Sequence, residues 1–344
     1  MGGLALKHID GIRRYSRDEF FKLADEMIPR IKACLNTDAK LVISYHKKES
    51  FGDMDIIVLN DGNLGDIRSK IREEFNPTDM YFNGNVYSFD YKDLQIDIII
   101  TPTSNFETSQ IFFSYNDLGN LMGKVFHKFG LKYGFDGLKY IYRLDNDKKL
   151  GDITITKNVR KAFEFLGLSY ERYEQGFDTV EDIFDFVIGS PYFQKESFYF
   201  ENLNAINKKR NIRRANYKLF IEYVNGTGTY EGKEALPDTG YKFNPDKSEY
   251  FQMINDYFPE SNFLESMKIL QEKEMRKRLI AEKFNGDILM ERYGLMGKEL
   301  GNAITLFKST YVYFDEYILE TDIDKILQDF EVDMIKLGID LPTK

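Results

Sequence analysis

The segment SYHKKESFGDMDIIVL, residues 44–59, joins a polar, basic loop to an apolar run of the kind that forms buried strands. Asp53 and Asp55 stand two residues apart where the loop enters this run, so their side chains should project from one face of the strand. Carboxylates this close repel each other, and Mg²⁺, which prefers oxygen ligands, relieves the repulsion. A solvated turn is the alternative interpretation of an isolated Asp-x-Asp.

A third acid lies in a later apolar segment, LQIDIII, residues 94–100. Asp97 is flanked there by isoleucines, and burial of an ionised carboxylate without a partner costs several kcal/mol. We therefore expect a metal ion or another cation to face Asp97, and pairing with a structural arginine is the alternative. If this strand neighbours the one that carries Asp55, three carboxylates converge. Such a group can hold two metal ions about 4 Å apart, the geometry of in-line phosphoryl transfer.

The loop ahead of the first two acids contains groups suited to a triphosphate. Ser44 offers a hydroxyl, Gly52 allows backbone N–H groups to approach closely, and Lys47 and Lys48 add positive charge. Two adjacent lysines are also common on ordinary surfaces. The joint order of strand, serine, basic loop, Gly-Asp-x-Asp and a later buried acid is what favours nucleotidyl transfer.

Hydrophobic periodicity outside this region predicts an α+β fold. A capping box at Ser16 and Glu19 begins an amphipathic helix. The later segments predict one small mixed or antiparallel sheet, a crossover helix, a further helix, a hairpin, and a helical region from about residue 200. In chain order, the predicted strands are 41–45, 54–59, 86–91 and 94–100, the crossover helix is 66–75, the further helix is 117–129 and the hairpin is 131–143.

Composition limits the possible classes of protein. The chain has 344 residues, 15% of them aromatic, which argues against intrinsic disorder. It lacks the roughly 18 consecutive apolar residues of a membrane span and an N-terminal signal peptide, so we expect no membrane partner and a cytoplasmic location, including the cytoplasm of a bacterial host. Cys34 is the only cysteine and there are three histidines, so a metal would be held by oxygen ligands.

Basic residues are segregated on this chain, whose formal net charge is −9. Residues 118–135 contain Lys124 and no acid, and residues 202–221 also contain no acid. Such segregation permits a local phosphate-binding surface on an acidic protein, whereas a solvated helix face is the alternative. The basic residues of the second segment are Lys208, Lys209, Arg210, Arg213, Arg214 and Lys218.

The order of these residues resembles the nucleotidyltransferases of the DNA polymerase β type, also called polymerase family X. In that family a Gly-Ser motif precedes a basic loop and Gly-Asp-x-Asp, and a third aspartate follows on another strand. The residues in the corresponding places here are Ser44, Lys47, Gly52, Asp53, Asp55 and Asp97.

The segment FFSYNDLGNLMGK, residues 112–124, is similar to the thumb motif of the same family. The resemblance implies that Phe112 and Phe113 lie under the sugar of the nucleotide. It also implies that Asp117 and Asn120 contact the incoming nucleotide and that Lys124 approaches the template or the nascent pair.

Three positions depart from the family pattern. Ile43 and Tyr115 stand where the family has glycines, and Gln95 stands where polymerases often have an arginine that orients the third aspartate. We expect no repair-type lyase domain ahead of the palm. The resemblance covers roughly residues 35–190, and within the family it points to the nucleotidyltransferases encoded by large tailed bacteriophages.

The resemblance implies a catalytic palm over residues 1–110, a thumb-like nucleotide-binding subdomain over 111–200, and a helical domain over 201–344 that could bind the acceptor. The implied activity uses two Mg²⁺ ions, which Mn²⁺ could replace, to move a nucleoside monophosphate from an NTP such as ATP to the 3′-hydroxyl of a nucleic acid. Transfer to a protein or small molecule, untemplated addition to an RNA or tRNA 3′ end, and a degenerate binding module are the alternatives.

Overall fold

The chain forms two compact units. The first runs to Ile141 and resumes over Asp152–Phe263, and the second consists of Tyr142–Gly151 and the chain from Leu264 onward. This computed structural model describes residues 5–6, 8–237, 239–339 and 341.

The secondary structure is mixed, with a helical C-terminal region, as the sequence predicts. In chain order, the strands are β1 (Tyr15–Ser16), β2 (Ala39–Leu41), β3 (Ser50–Phe51), β4 (Asp53–Asn60), β5 (Met80–Asn83), β6 (Val86–Tyr91), β7 (Leu94–Pro102), β8 (Leu131–Gly134), β9 (Gly137–Arg143) and β10 (Lys149–Thr156). The helices are α1 (Arg17–Leu35), α2 (Ile67–Phe75), α3 (Phe106–Phe113), α4 (Leu118–Lys128), α5 (Val159–Phe165), α6 (Tyr170–Glu174), α7 (Val180–Ile188), α8 (Ala205–Asn211), α9 (Ala215–Asn225), α10 (Phe251–Tyr257), α11 (Phe263–Lys283), α12 (Gly286–Tyr293), α13 (Gly297–Thr310), α14 (Phe314–Glu320) and α15 (Ile323–Lys336). Among the described residues, no helix combines the length and apolar character that a membrane crossing requires.

The main sheet is mixed, with strand order β2-β4-β7-β6-β5. The two central strands, β4 and β7, are parallel, and every other neighbouring pair is antiparallel. A parallel pair requires a crossover connection, and α2 forms part of it, which confirms the predicted crossover helix. Asp66 caps this helix by accepting hydrogen bonds from the backbone N–H groups of Arg68 and Ser69.

The central strands are covered on both faces. On one face, alternate residues such as Ile56 pack with Phe20 of α1 in the main core. On the other face, Ile57 and Ile99 pack with Phe106 of α3. Successive side chains of a strand point to opposite faces, so alternate residues share a face. Asp53 and Asp55 therefore lie on the same face as Ile57, and Asp97 lies on the same face as Ile99.

The predicted strand over 41–45 is wrong beyond Leu41. The N–H of Ile43 donates to the Ser114 hydroxyl at 3.2 Å, and the Ile43 carbonyl accepts from the N–H of Tyr115 at 2.7 Å. These hydrogen bonds join the chain to the loop between α3 and α4 instead of to the sheet. Residues 42–49 therefore form a loop that approaches the thumb-like segment.

The remaining elements of the first unit follow local signals. The predicted helix over 117–129 and the hairpin over 131–143 are observed as α4 and β8–β9. Thr179 and Asp182 form a capping box at the start of α7. The predicted boundary near residue 201 lies inside this unit, because Phe220 of α9 packs against Phe184 of α7 with ring centroids 5.2 Å apart.

The second unit has a helical core of its own. The last helix, α15, contributes an apolar face to this core, in which Ile326, Leu327, Phe330 and Met334 are buried, while Ile323 is 40% exposed. The other buried residues of this core are Phe284, Leu289, Tyr293, Leu295, Ala303, Phe307 and Ile318.

Candidate metal centre

Three carboxylates meet on the face of the sheet that α3 partly covers. Asp55 of β4 and Asp97 of β7 are direct partners in the parallel register, and Asp53 lies two residues earlier on the same face. One ligand oxygen from each residue lies within 4.8 Å of the other two. The predicted convergence of the three acids is therefore observed, and its dimensions suit shared ligation of divalent ions.

The carboxylates occupy a partly dehydrated position. Asp97 is 2% exposed, and the Oδ1 atom of Asp55 is buried and accepts no hydrogen bond within the described part of the chain. Burial, reinforced by the charges of Asp53 and Asp97, raises the pKa of Asp55 to about 8. Burial is also the largest cause that raises the pKa of Asp97 to about 6. A set of anionic oxygen donors that includes a buried atom without a partner fits a hard cation such as Mg²⁺ or Mn²⁺.

Gln95 orients the third aspartate. Its Nε2 donates to both carboxylate oxygens of Asp97, at 2.9 and 3.1 Å, and its Oε1 accepts from the N–H of Leu6 at 3.2 Å. The alternative interpretation, a structural arginine beside Asp97, is not observed among the described residues. A neutral amide holds the carboxylate in place without cancelling its charge, so the negative charge remains for a cation.

The loop ahead of β4 is attached to the segment between α6 and α7. The N–H groups of His46 and Lys47 donate to the carbonyls of Phe177 and Asp178, both at 2.8 Å. The Asp178 carboxylate also binds the His46 Nδ1 at 2.8 Å and the Lys47 Nζ at 3.3 Å. Lys47, which the sequence assigns to the triphosphate, thus pairs with Asp178, and its side chain is 69% exposed. Ser44 precedes these residues and is half-buried.

Lys48 is the lysine of this loop whose pKa is affected by the charges of the carboxylates. Its ammonium lies over the ring of Phe51, 4.5 Å from the centroid. Burial lowers the pKa of Lys48, and the negative charges of Asp53 and Asp55 oppose that shift. The sequence places two lysines side by side, and only the fold gives Lys47 and Lys48 these different surroundings.

Arg14 is a site residue that sequence reasoning missed. The short pairing of β1 with β3 brings it to the loop, where its Nε donates to the Ser50 hydroxyl at 2.7 Å and its Nη2 to the Ser50 carbonyl at 2.9 Å. A Cβ atom at Gly52 would lie 2.8 Å from the Arg14 Nη1. Gly52 therefore leaves room for a guanidinium just ahead of the acids. No local sequence pattern relates these two residues.

The loop between α3 and α4 has the backbone conformation that suits a glycine. Tyr115 has φ 55° and Asn116 has φ 59°, in the left-handed region that costs a bulky residue about 1–3 kcal/mol. The buried ring of Tyr115 packs edge-on against Phe177 at 4.8 Å and Tyr173 at 5.4 Å. This packing offsets the backbone cost of a tyrosine at position 115.

The two aromatic residues of the thumb-like motif have different surroundings. Phe113 is half-buried against the small core that contains Ile57, and it lies parallel to Phe135 with centroids 6.2 Å apart. Phe112 contacts Phe113 edge-on at 5.3 Å.

The polar residues of the thumb-like motif contact α8 and α9. Asp117 forms an ion pair with Arg214, and the Asn120 Nδ2 donates to the Asn211 Oδ1 at 3.1 Å. Lys124 follows one turn later on the same helix. The described contacts of Asp117 and Asn120 are thus with the segment after residue 201. Neither residue belongs to the group of side chains that could hold a metal ion, which consists of Asp53, Asp55 and Asp97.

The comparisons with known proteins identify no relative. No protein-family model matches the chain, and a search of curated proteins found no match.

Proposed function

We propose that this chain is a metal-dependent nucleotidyltransferase of the polymerase β type, which transfers a nucleoside monophosphate from an NTP to the 3′-hydroxyl of a nucleic acid. The observation that carries the proposal is the direct parallel pairing of Asp55 with Asp97, with Asp53 on the same face and one buried carboxylate oxygen that has no partner among the described residues. A purely structural cluster would be expected to neutralise its buried charge with an arginine or a lysine.

Each residue of the site has a role that its surroundings support. When bound, two divalent ions would polarise the phosphoryl group and lower the pKa of the attacking hydroxyl. Asp53 and Asp55 would hold both ions, and Asp97 the ion on the hydroxyl side. The Asp97 carboxylate, oriented by Gln95, would accept the proton of the hydroxyl directly or through water. Lys48 would neutralise charge that develops on the pyrophosphate leaving group.

The preferred acceptor is a nucleic acid. The basic segments near Lys124 and Lys208–Lys218 lie on the first unit, which also carries the metal centre. Transfer to a protein or small molecule would use the same aspartates, and so would untemplated addition to an RNA or tRNA 3′ end. These acceptors become distinct outcomes of one assay.

The test incubates the protein with labelled NTPs and Mg²⁺ or Mn²⁺, together with single-stranded DNA, a primed duplex, tRNA or no acceptor. We expect extended nucleic acid and release of pyrophosphate, both abolished by EDTA and by Asp55→Asn. Extension of the primed duplex alone would define a templated polymerase, and extension of tRNA alone an end-adding enzyme.

The matched control is Glu73→Gln, which removes one exposed carboxylate from α2 and should leave activity unchanged. Labelled protein in the absence of nucleic-acid products would favour a protein acceptor. Absence of any nucleotide transfer with every acceptor, in a folded protein that binds Mn²⁺, would reject the proposal.

A further inference from the structure

The polar face of α4 continues beyond its contacts with α8 and α9. Asp117 and Asn120 use the start of this face to bind Arg214 and Asn211. The following positions at intervals of four residues, 124 and 128, are both lysines. Residues at this spacing lie above one another on a helix, about 6 Å apart. The start of this face therefore contacts α8 and α9, and its continuation carries two lysines.

Two further basic residues from distant parts of the chain complete this surface. We call Lys124, Lys128, Arg210 and Lys247 the α4 basic cluster. Burial lowers the pKa of Lys124 to about 8, and the nearby charge of Arg210 adds to the shift. Burial and the charge of Lys128 likewise lower the pKa of Lys247. The Lys247 Cδ would lie 3.3 Å from a Cβ atom at Gly130, just after α4.

The field at the centre of the cluster is positive. The pKa of His127 falls to about 4, first through desolvation by surrounding side chains and then through the charges of Lys247, Lys124 and Lys128. Asp117 is the acid whose charge favours the protonated Arg210, and it is already paired with Arg214.

Acids do not neutralise this cluster within the part of the chain that the structure describes. None of its four side chains forms an ion pair there, although Lys128 also lies 5.7 Å from the centroid of the Phe243 ring. Four basic groups from three chain segments are thus held together at a cost in repulsion, on a chain of net charge −9. Binding of a polyanion would relieve that repulsion, as phosphates do at basic surfaces.

We propose that the α4 basic cluster binds successive phosphates of a nucleic-acid strand, independently of base sequence. The spacing of Lys124 and Lys128 along the helix, and the contribution of Arg210 and Lys247 on either side, suit a repeating anion better than a single one. The inference rests on the proposed function only for its identification of this strand as the acceptor. The binding itself can be tested without turnover.

The test measures binding of a fluorescent single-stranded oligonucleotide by anisotropy, in EDTA, between about 50 and about 200 mM salt. Lys128→Gln, Arg210→Gln and Lys247→Gln are examined singly and together, with Lys298→Gln, an exposed lysine of α13, as the matched control. Each lost phosphate contact should reduce the slope of log affinity against log salt by about 0.7. The triple variant should lose about two units of slope and at least about tenfold in affinity at low salt.

Thermal melting of each variant verifies that it is folded, and the single variants serve if the triple variant is not. An unchanged slope in the folded single variants would overturn the inference, as would an equal loss in Lys298→Gln. Displacement of the oligonucleotide by equimolar metal-free ATP would also overturn it, since the cluster would then be a nucleotide site. Asp55→Asn should bind the oligonucleotide like the unaltered protein. If the unaltered protein transferred no nucleotide but kept its cluster-dependent binding, only the proposed function would be rejected.

Discussion

Asp55 and Asp97 face each other directly across the parallel strands β4 and β7, although they lie far apart in the sequence. Like charges that lie directly opposite each other on neighbouring strands destabilise the sheet. Burial is the larger cause of the raised pKa of Asp55, and the negative charges of Asp53 and Asp97 add to it. Such an arrangement suits metal binding, because a divalent ion bound between the carboxylates replaces their repulsion with attraction to the ion.

Asp97→Asn should separate the effect of the buried charge on stability from its effect on nucleotidyl transfer. The amide retains an acceptor for Gln95 and removes one buried charge, so the metal-free variant should be at least as stable as the unaltered protein. Nucleotidyl transfer should fall by roughly 10³-fold or more, with NTP binding little changed. Thermal melting and single-turnover transfer measure the two effects, with Glu73→Gln as control. A variant that is both less stable and fully active would contradict both roles assigned to Asp97.

The stability of the metal-free protein should fall as the pH rises from about 4 to about 8. The pKa of Asp55 is raised from 3.8 to about 8 and that of Asp97 to about 6, so the folded state holds more protons than the unfolded chain in this window. Stability then decreases with pH, and the contribution of the two groups is lost by pH 8.

Added Mg²⁺ or Mn²⁺ should oppose this decrease, because the deprotonated carboxylates bind the ion only in the folded state. The increase in Tm on metal addition should therefore be larger at pH 8 than at pH 5. Asp55→Asn provides the reference, and its Tm should show a weaker pH dependence and a smaller response to metal. Equal responses in the two proteins would argue against a metal at this position.

Gln95→Leu should weaken the metal centre without removing a ligand. The substitution eliminates both hydrogen bonds to Asp97 and leaves the carboxylate without its orienting amide. Loss of such an outer partner typically lowers metal affinity or activity about 10–100-fold. Titration with Mn²⁺ measures the affinity, and Gln95→Glu should be worse than leucine because it adds a fourth negative charge. Unchanged Mn²⁺ affinity in Gln95→Leu would refute the orienting role.

Gly52→Ala should act through Arg14. The new methyl group would meet the guanidinium Nη1 at 2.8 Å, and since a flexible side chain can move aside, the loss of stability should be small. We expect the KM for NTP to rise about tenfold, equivalent to about 1.4 kcal/mol, if the displaced charge contributes to binding of the triphosphate.

The control for this prediction is Gly301→Ala in α13, where a Cβ atom would have no neighbour within 4 Å and helix propensity favours alanine. In an Arg14→Ala background, Gly52→Ala should have little further effect, as expected for residues that act through one contact. An additive loss in the double variant would show that Gly52 acts independently of Arg14.

Several features followed from local pattern alone. Short runs of apolar, β-branched and aromatic residues located β4, β6 and β7, and the capping residues located α1, because both signals arise from neighbours in the sequence. The strand predicted over 41–45 failed beyond Leu41 because the backbone of Ile43 bonds to residues more than 70 positions away. The structure pairs Lys47 with Asp178, a contact between distant segments that no local pattern indicates.

The sequence by itself determined that two acids share one face of a strand and that a third acid lies in an apolar strand, since side-chain alternation is a local property. Only the tertiary structure decided that Asp97 stands opposite Asp55, that Arg14 lies over Gly52, and that Lys247 joins the basic face of α4. These relations depend on strand register and on packing between distant segments, which hydrophobic periodicity does not specify.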